Sequence, residues 1–411
     1  MITHFRLFNF LNSKINFIGN CRFPFLLFSS LVFSATLLTN ATQGKPKKPK
    51  NVIVIIGDGT GLAQWSALSA HYQYQSFATQ AGKDRNAMRE KIDRDNVCVF
   101  QKFPVCGLSQ TYSANNYITD SGAGGTAIAV GIKTNNYAIG VDENGKSQPS
   151  LAVYAKESGK ATGIVVTCEL THATPAAFYA HQSKRSLMSD IAGDLLTTNT
   201  IDVAIGGGYP YLKPFNYSNH TLIVPPTTAG TGYPRKLDSI ETGLSAGTRM
   251  QRTLLMYNQD TFPPKAHQGR AGYLERASVA AMRELNKNAN GYFLMIEGSQ
   301  VDWAGHENDS AYLMAELVDL DNTIREVVNE VEKNQKGETL IIVTADHETG
   351  GLSLVGWDKK NGCAKLAWST HDHTGIPVPV FAYGPGSELF TGAYQNNDIF
   401  FKLLPFLSGK K

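Results

Sequence analysis

The chain reads as an α/β fold, with a large central, mostly parallel β-sheet, helices on both faces, and one irregular insertion. Three observations predict it. NVIVIIG at 51–57, ATGIVVT at 161–167 and TLIIVT at 339–344 are unbroken apolar, β-branched runs, as strands buried on both faces of a parallel sheet require. Stretches of helical periodicity separate them, which suits the crossovers that parallel strands need. Chemically able residues follow these runs: Asp58 after the first, Glu297 at the end of GYFLMIEG, and Asp346 with His347 after TLIIVTA. That is the edge where open α/β sheets bind ligands.

At 411 residues the chain can bury a large core, and its 18% charged content excludes a disordered chain. The net charge of +3 gives no electrostatic footprint for nucleic acid as a partner. Arg6, Lys14 and Arg22 precede an uncharged apolar run at 23–38, and Thr39-Asn40-Ala41 then offers small residues for cleavage. This predicts a signal peptide over 1–41 and a periplasmic or secreted mature chain. The basic leading segment is long, which leaves a misplaced start or a retained anchor open. The apolar run is short for a spanning helix, so no stable membrane span is expected after cleavage. Cys98, Cys106, Cys168 and Cys363 remain in the mature chain; buried thiols and one disulfide are both open.

Residues 42–50 form a basic linker, and the ordered domain runs over 51–408. Asp58, between Gly57 and Gly59, leaves the first strand in a tight turn. A helix is expected over 65–94, then strand-like VCVF and VCGLSQTYS. In YITDSGAGGTAIAVG, at 117–131, Thr119 and Asp120 are helix-capping types and Ala127 to Val130 can continue a buried helix. Ser121 therefore falls in the first turn, where free N–H groups and the helix dipole favour an alkoxide and a bound oxyanion. A serine hydroxyl also needs a general base or a metal ion to act as a nucleophile. Gly122, Gly124 and Gly125 each cost roughly 1 kcal/mol against alanine in a helix. They suggest a pliable site with low-temperature activity, or else close packing against a neighbour.

Beyond this helix comes a loop and hairpin carrying Lys133, a helix over 151–158, and the 161–167 strand, with Thr171, His172 and Thr174 past its end. Pro175 is expected to open a helix with His181 and Arg185 four apart on one face. Arg185 is then either a solvated residue or a bidentate clamp for a phosphoryl group. After the strand DVAIGGG, residues 209–266 read as an irregular insertion that leaves the sheet and returns; Asn216-Tyr217-Ser218 within it is formally a glycosylation sequon. A helix over 272–287 leads to the strand ending in Glu297. Asp302 and His306, four apart, bring a carboxylate and an imidazole to one point, which suits zinc. A helix over 311–333 follows. Asp346 and His347 are adjacent, so joint use needs the irregular backbone that Gly350 and Gly351 allow. His371 and His373 precede a proline-bounded last strand. Alone, each of these residues could be a cap or a core residue. Together on one sheet edge they favour a multinuclear metal site, with zinc at histidine-bearing positions and magnesium where only carboxylates and a hydroxyl are present. Two metals about 4 Å apart can clamp the attacking and leaving oxygens of an in-line phosphoryl transfer.

GDGTG, TDSGAGGTA, ATPAA with the later Arg185, IEGSQVDWAGH, TADHETGG and HTG followed by VPVFAYGPG occur in this order. In these motifs the chain resembles the alkaline phosphatase family, in a secreted bacterial variant similar to cold-active members. The resemblance implies a homodimeric phosphomonoester hydrolase that uses two zinc ions and one magnesium, forms a phosphoserine on Ser121, and releases inorganic phosphate and an alcohol. It implies that Asp346 and His347, with the Ser121 oxygen, hold one zinc, which Asp58 bridges to the magnesium. Asp302, His306 and His373 would hold the second zinc, and Thr174 and Glu297 would complete the magnesium set. Arg185 would bind two non-bridging phosphate oxygens, steadied by Asp120. Where the best-studied enteric member has an aspartate near the magnesium this chain has His172, which would reach the ion through bound water. Where that member has a lysine above the phosphate this chain has Trp303, so product phosphate should bind weakly. A phosphodiesterase or sulfatase relative is the competing hydrolase, but the sulfatase Cys/Ser-x-Pro-x-Arg signature is absent and Arg185 favours monoesters. A phosphate- or metal-binding protein without turnover gives no reason for a nucleophile beside every ligand.

Overall fold

The computed structural model describes residues 48–79, 97–215, 220–223, 252–256, 263–270, 272–358 and 363–409. The expected signal peptide, the helix beyond residue 79 up to 94, the sequon and most of the insertion lie outside the described residues. Strand β1 (Asn51–Gly57) shows how sequence becomes architecture. All seven residues are buried, with Val52, Val54 and Ile56 packing into the core on one face and Ile53 and Ile55 into the core on the other. Each such side chain contributes roughly 1.5–3 kcal/mol through burial, so a strand apolar on both sides is stable only in the middle of a covered sheet.

Nine further strands join it. They are β2 (Val105–Gln110), β3 (Ala161–Glu169), β4 (Val203–Gly207), β5 (His220–Ile223), β6 (Arg252–Met256), β7 (Tyr292–Gly298), β8 (Thr339–Thr344), and, beyond four short strands described below, β13 (Val378–Tyr383) and β14 (Gly392–Gln395). The order across the sheet is β14-β2-β13-β8-β1-β7-β3-β4-β6-β5. Only β13 runs against its neighbours. Among the described residues no helix lies between β8 and β13, so the chain re-enters from the edge it left and pairs antiparallel. Two hairpin-like sheets fill that interval: β9 (Glu348–Thr349) with β12 (His373–Thr374), and β10 (Ser353–Asp358) with β11 (Cys363–Ala367).

On one face lie α2 (Ser121–Val130), α3 (Leu151–Glu157), the single turn α4 (Ala173–Ala176), α5 (Met188–Thr197) and, at the C-terminus, α10 (Asp398–Leu407). The other face is covered by α1 (Leu62–Thr79), α7 (Tyr273–Leu285) and α9 (Ser310–Asn334). Two short helices complete the set, α6 (Tyr209–Leu212) after β4 and α8 (Gln300–Glu307) directly after β7. Register sets the functional edge. Ile56 of β1 pairs with Glu297 of β7 on one side and with Thr344 of β8 on the other, so Asp58 and Asp346 emerge level with each other at this edge, two residues past the rung that carries Glu297.

Several expectations need correction. VCVF is not a strand: Val99–Lys102 forms a 3-10 turn. The helix around Pro175 ends after one turn because Gln182 exchanges backbone hydrogen bonds with Ile139, so His181 and Arg185 lie on an irregular segment. The hairpin after α2 is reduced to a single bridge between Val141 and Ser147. The proline-bounded strand is followed by one more, β14, whose four residues are too few to give a periodic signal. Within 209–266 the described pieces include α6 and strands β5 and β6, which extend the parallel sheet beyond β4. None of the four cysteines is in a disulfide: Cys98 and Cys168 are buried thiols, Cys106 and Cys363 exposed ones. Among the described residues no helix is long and apolar enough to cross a membrane.

Candidate active site

Ser121 opens α2, with Asp120 as the capping residue accepting the Ala123 N–H at 3.0 Å. The Ser121 side chain is almost wholly buried, and its Oγ lies 3.2 Å from His347 Nε2. The same nitrogen is 3.4 Å from Asp58 Oδ1 and 3.4 Å from Asp346 Oδ2. Burial first, then the neighbouring His373, holds the His347 pKa well below its ordinary value, so the ring is neutral. Thr349 explains how the neutral ring is oriented. Its hydroxyl donates to Asp302 Oδ1 and stands 3.3 Å from His347 Nδ1, from which it can accept. That puts the ring proton on Nδ1 and turns the Nε2 lone pair toward the two carboxylates and the serine oxygen. Converging acceptors of this kind suit a cation.

A second convergence lies beside it. The helical spacing of Asp302 and His306 holds: both are on α8, with Asp302 Oδ1 3.4 Å from His306 Nε2. His373, on β12, places its Nε2 3.4 Å from the same oxygen and 3.1 Å from His306 Nε2. His306 Nδ1 faces the His371 carbonyl at 2.5 Å and His373 Nδ1 faces the Thr119 carbonyl at 2.9 Å, and donation to these carbonyls directs each Nε2 inward. Burial opposes ionisation of Asp302, but the hydrogen bonds from His306 and His373 hold its carboxyl well below the usual range. The rings of His347 and His373 stack at 3.6 Å, joining the two clusters.

Carboxylates dominate the third region. Thr174 Oγ1 donates to Asp58 Oδ2 at 3.3 Å and lies 3.5 Å from Asp346 Oδ2. Burial, reinforced by Asp346, pushes Asp58 well above its ordinary pKa; the same causes push Glu297 up to about 8. Burial, then Asp302, pushes Asp346 up to about 6. Asp58 Oδ1 and Glu297 Oε1 are buried with no hydrogen-bond partner. Buried carboxylates that repel one another and carry unpartnered oxygens fit divalent cations, whose charge reverses this electrostatic penalty. Asp58, Asp346 and His347 form one metal-capable group; Asp302, His347 and His373 form another.

Arg185 reaches the site from its irregular segment. Its Nη1 lies 3.0 Å from Asp120 Oδ2 and its Nη2 3.1 Å from His172 Nε2, while its backbone N–H donates to the Tyr137 carbonyl at 2.7 Å. Tyr137 was not visible in the sequence as a site residue. It adopts φ 73°, a left-handed backbone that a tyrosine rarely takes, and its N–H donates to Asp120 Oδ1 at 2.9 Å. Thr349 was missed as well, since nothing marks one threonine in ETGG. Trp303 packs edge-on to His172 at 6.1 Å between ring centroids. Lys133 is engaged elsewhere, with Tyr112 and Asn396, and His181 bonds the Gly140 carbonyl. The glycines of α2 are explained by close approach. A Cβ on Gly124 would meet the Asp346 carbonyl oxygen at 2.9 Å, and one on Gly125 would meet Thr174 Cα at 3.3 Å. Helix α2 thus lies directly against the segments that carry Asp346 and Thr174.

The sequence profile described as alkaline phosphatase matches residues 49–231, 248–363 and 356–408. The chain belongs to the alkaline phosphatase family. Alkaline phosphatase 4 of Bacillus subtilis is 31% identical over 91% of this chain and 94% of that one. The alkaline phosphatase of the Antarctic bacterium TAB5 is 33% identical, the match covering 88% of this chain and 99% of that one with a TM-score of 0.72. The cold-active alkaline phosphatase of a Shewanella species is 28% identical over 87% and 99%, with a TM-score of 0.71. One structure of a TAB5 variant has Mg bound in its M3 site. As an alkaline phosphatase the chain is a metal-dependent phosphomonoester hydrolase, and its substrates are small phosphomonoesters.

Proposed function

We propose that this alkaline phosphatase works through a phosphoserine on Ser121, with two zinc ions and one magnesium as its cofactors. The observation that carries the reading is the position of Ser121 Oγ, at a helix start and 3.2 Å from a His347 Nε2 that also faces Asp58 and Asp346. Asp346, His347 and Asp58 would hold one zinc, Asp302, His306 and His373 the other, and Asp58, Thr174 and Glu297 the magnesium. When bound, these ions supply Lewis acidity to the serine oxygen, the departing oxygen and the hydrolytic water.

The chain's own groups do the rest. The N-terminus of α2 favours the serine alkoxide and the charge of the phosphoryl group beside it. Arg185 presents two N–H groups to two non-bridging oxygens, and its ion pair with Asp120 fixes the plane of the guanidinium. The Ser121 oxygen forms a bond to phosphorus as the ester oxygen leaves with a proton as the alcohol; water then releases phosphate and restores the hydroxyl. Trp303 offers no positive charge to retain the product. The charge-free run at 23–38 supports export of a mature chain beginning near residue 42 to the periplasm or medium, and the family supports a homodimer.

The decisive experiment combines elemental analysis of the purified protein with p-nitrophenyl phosphate turnover in wild type and Ser121→Ala. The expected result is two zinc and one magnesium per chain, an acid-stable phosphoserine in wild type, and a loss of roughly 10³-fold or more in the variant. Retained turnover in Ser121→Ala would refute the nucleophile. Diester turnover exceeding monoester turnover would refute the substrate preference.

A further inference from the structure

Cys168, His172 and Glu297 each offer one ligand atom, and these atoms all lie within 4.8 Å of one another. The sheet brings them together. Val166 of β3 pairs with Glu297 of β7, and past that point the register of β3 with β4 breaks between Val165 and Glu169. Cys168 falls inside the break with its Sγ 3.5 Å from Glu297 Oε2, and His172 follows in the turn that its N–H closes onto the Glu169 carbonyl at 2.9 Å.

This group is built as a site. Cys168 and Glu297 have no solvent exposure. Glu297 Oε1 and His172 Nδ1 are buried with no hydrogen-bond partner, which a purely structural cluster would avoid. The thiol is a weak donor, 3.5 Å from Glu297 Oε2 and 3.3 Å from the Glu169 carbonyl. Thiolate and imidazole donors select soft or borderline cations, whereas magnesium demands oxygen ligands.

We propose that Cys168, His172 and Glu297 form a site for one thiophilic divalent cation of the zinc and cadmium class, which takes Glu297 from the magnesium set when it fills. On binding, a sulfur–metal bond forms as the thiol releases its proton to solvent, and the His172 proton passes from Nδ1 to Nε2, which gives up its hydrogen bond from Arg185 Nη2, with no change of oxidation state. Only the shared use of Glu297 rests on the proposed magnesium site.

Cadmium is the probe, because a cadmium–thiolate bond gives an ultraviolet charge-transfer band that is read without substrate. The background is the purified protein with the exposed thiols removed by Cys106→Ser and Cys363→Ser. One equivalent of Cd²⁺ should produce one thiolate band per chain. The band should be lost in Cys168→Ser and kept in Cys98→Ser, which alters the other buried thiol. No band, or a band that survives Cys168→Ser, would overturn the site. Excess magnesium should suppress the band; a band indifferent to magnesium would overturn the sharing of Glu297 while leaving the phosphoserine assignment intact. If Cys168→Ser does not fold, cadmium X-ray absorption on the Cys98→Ser, Cys106→Ser, Cys363→Ser chain decides, with sulfur in the coordination shell expected and an all-oxygen and nitrogen shell overturning the proposal.

Discussion

Replacing Gly124 by alanine should slow the enzyme without a gain in stability. The added Cβ would sit 2.9 Å from the Asp346 carbonyl oxygen and 3.1 Å from Asp346 Cβ, where ordinary contact begins at 3.4 Å. Both neighbours are held by the sheet edge, so relief requires α2 to move away from Asp346 by about 0.5 Å. The helix gains roughly 1 kcal/mol of propensity from alanine, and overpacking costs about 1–3 kcal/mol. The net change is between nothing and about 2 kcal/mol of destabilisation, a fall of a few degrees in the thermal midpoint at most. Catalysis is more sensitive, because the move separates Ser121 from Asp346 and His347. Misplacement by 1 Å can cost about 10²-fold, so half that distance should cost roughly tenfold in kcat. Saturating p-nitrophenyl phosphate turnover, with zinc content and thermal midpoint measured on the same samples, tests this. Gly125→Ala, with its nearest contact at 3.3 Å, serves as the milder companion and should lose less. A Gly124→Ala variant that gains stability and keeps its kcat would refute the close-packing account, and if low-temperature turnover were also untouched it would refute helix pliability as the reason for the glycines.

Thr349→Val should lower zinc retention or turnover by roughly 10–100-fold, since it removes the one hydroxyl linking Asp302 to His347; an unchanged zinc dissociation constant and kcat would show the link to be idle. Trp303→Lys should tighten inhibition by inorganic phosphate, read as a lower inhibition constant, because it brings positive charge beside the Arg185 and His172 pair. Chelator-stripped protein should lose stability as pH rises. Glu297 and Asp346 titrate at about 8 and about 6 in the fold, above their unfolded values, so the folded chain holds protons that the unfolded chain releases. Their stabilising contribution is complete below about pH 4 and lost as pH climbs through about 8. Thermal midpoints of stripped protein that stay flat or rise over this window would contradict it; zinc and magnesium should flatten the fall.

The central sheet was legible because its strands are buried on both faces and so are written as uninterrupted apolar runs. The edge residues were legible for the same reason: Asp58, Glu297 and Asp346 interrupt such runs where they end. Asp302 and His306 could be paired because helical spacing is a local property. Arg185 was expected on a helix but lies on an irregular segment, beside Asp120 and His172. Its segment is shaped by Gln182 bonding to Ile139, a pairing across 43 positions that no local pattern encodes. Thr349, Tyr137 and Cys168 meet distant parts of the chain only in the fold, and a lone threonine, tyrosine or cysteine carries no periodic mark. The α2 glycines were seen, but their reason, a close pass by Asp346 and Thr174, exists only in three dimensions.

Asp58, Glu297 and Asp346 project from three strands hydrogen-bonded side by side, β7, β1 and β8. The lateral spacing of these strands is the interstrand repeat of about 4.8 Å, a constant of the peptide backbone that no side-chain substitution alters. Substitution can change which groups line this edge, while the spacing of the strands beneath them stays fixed. The same strands form the middle of the core, whose amides should be the last to exchange with solvent. The edge that carries these carboxylates is thus built on the part of the fold expected to open last.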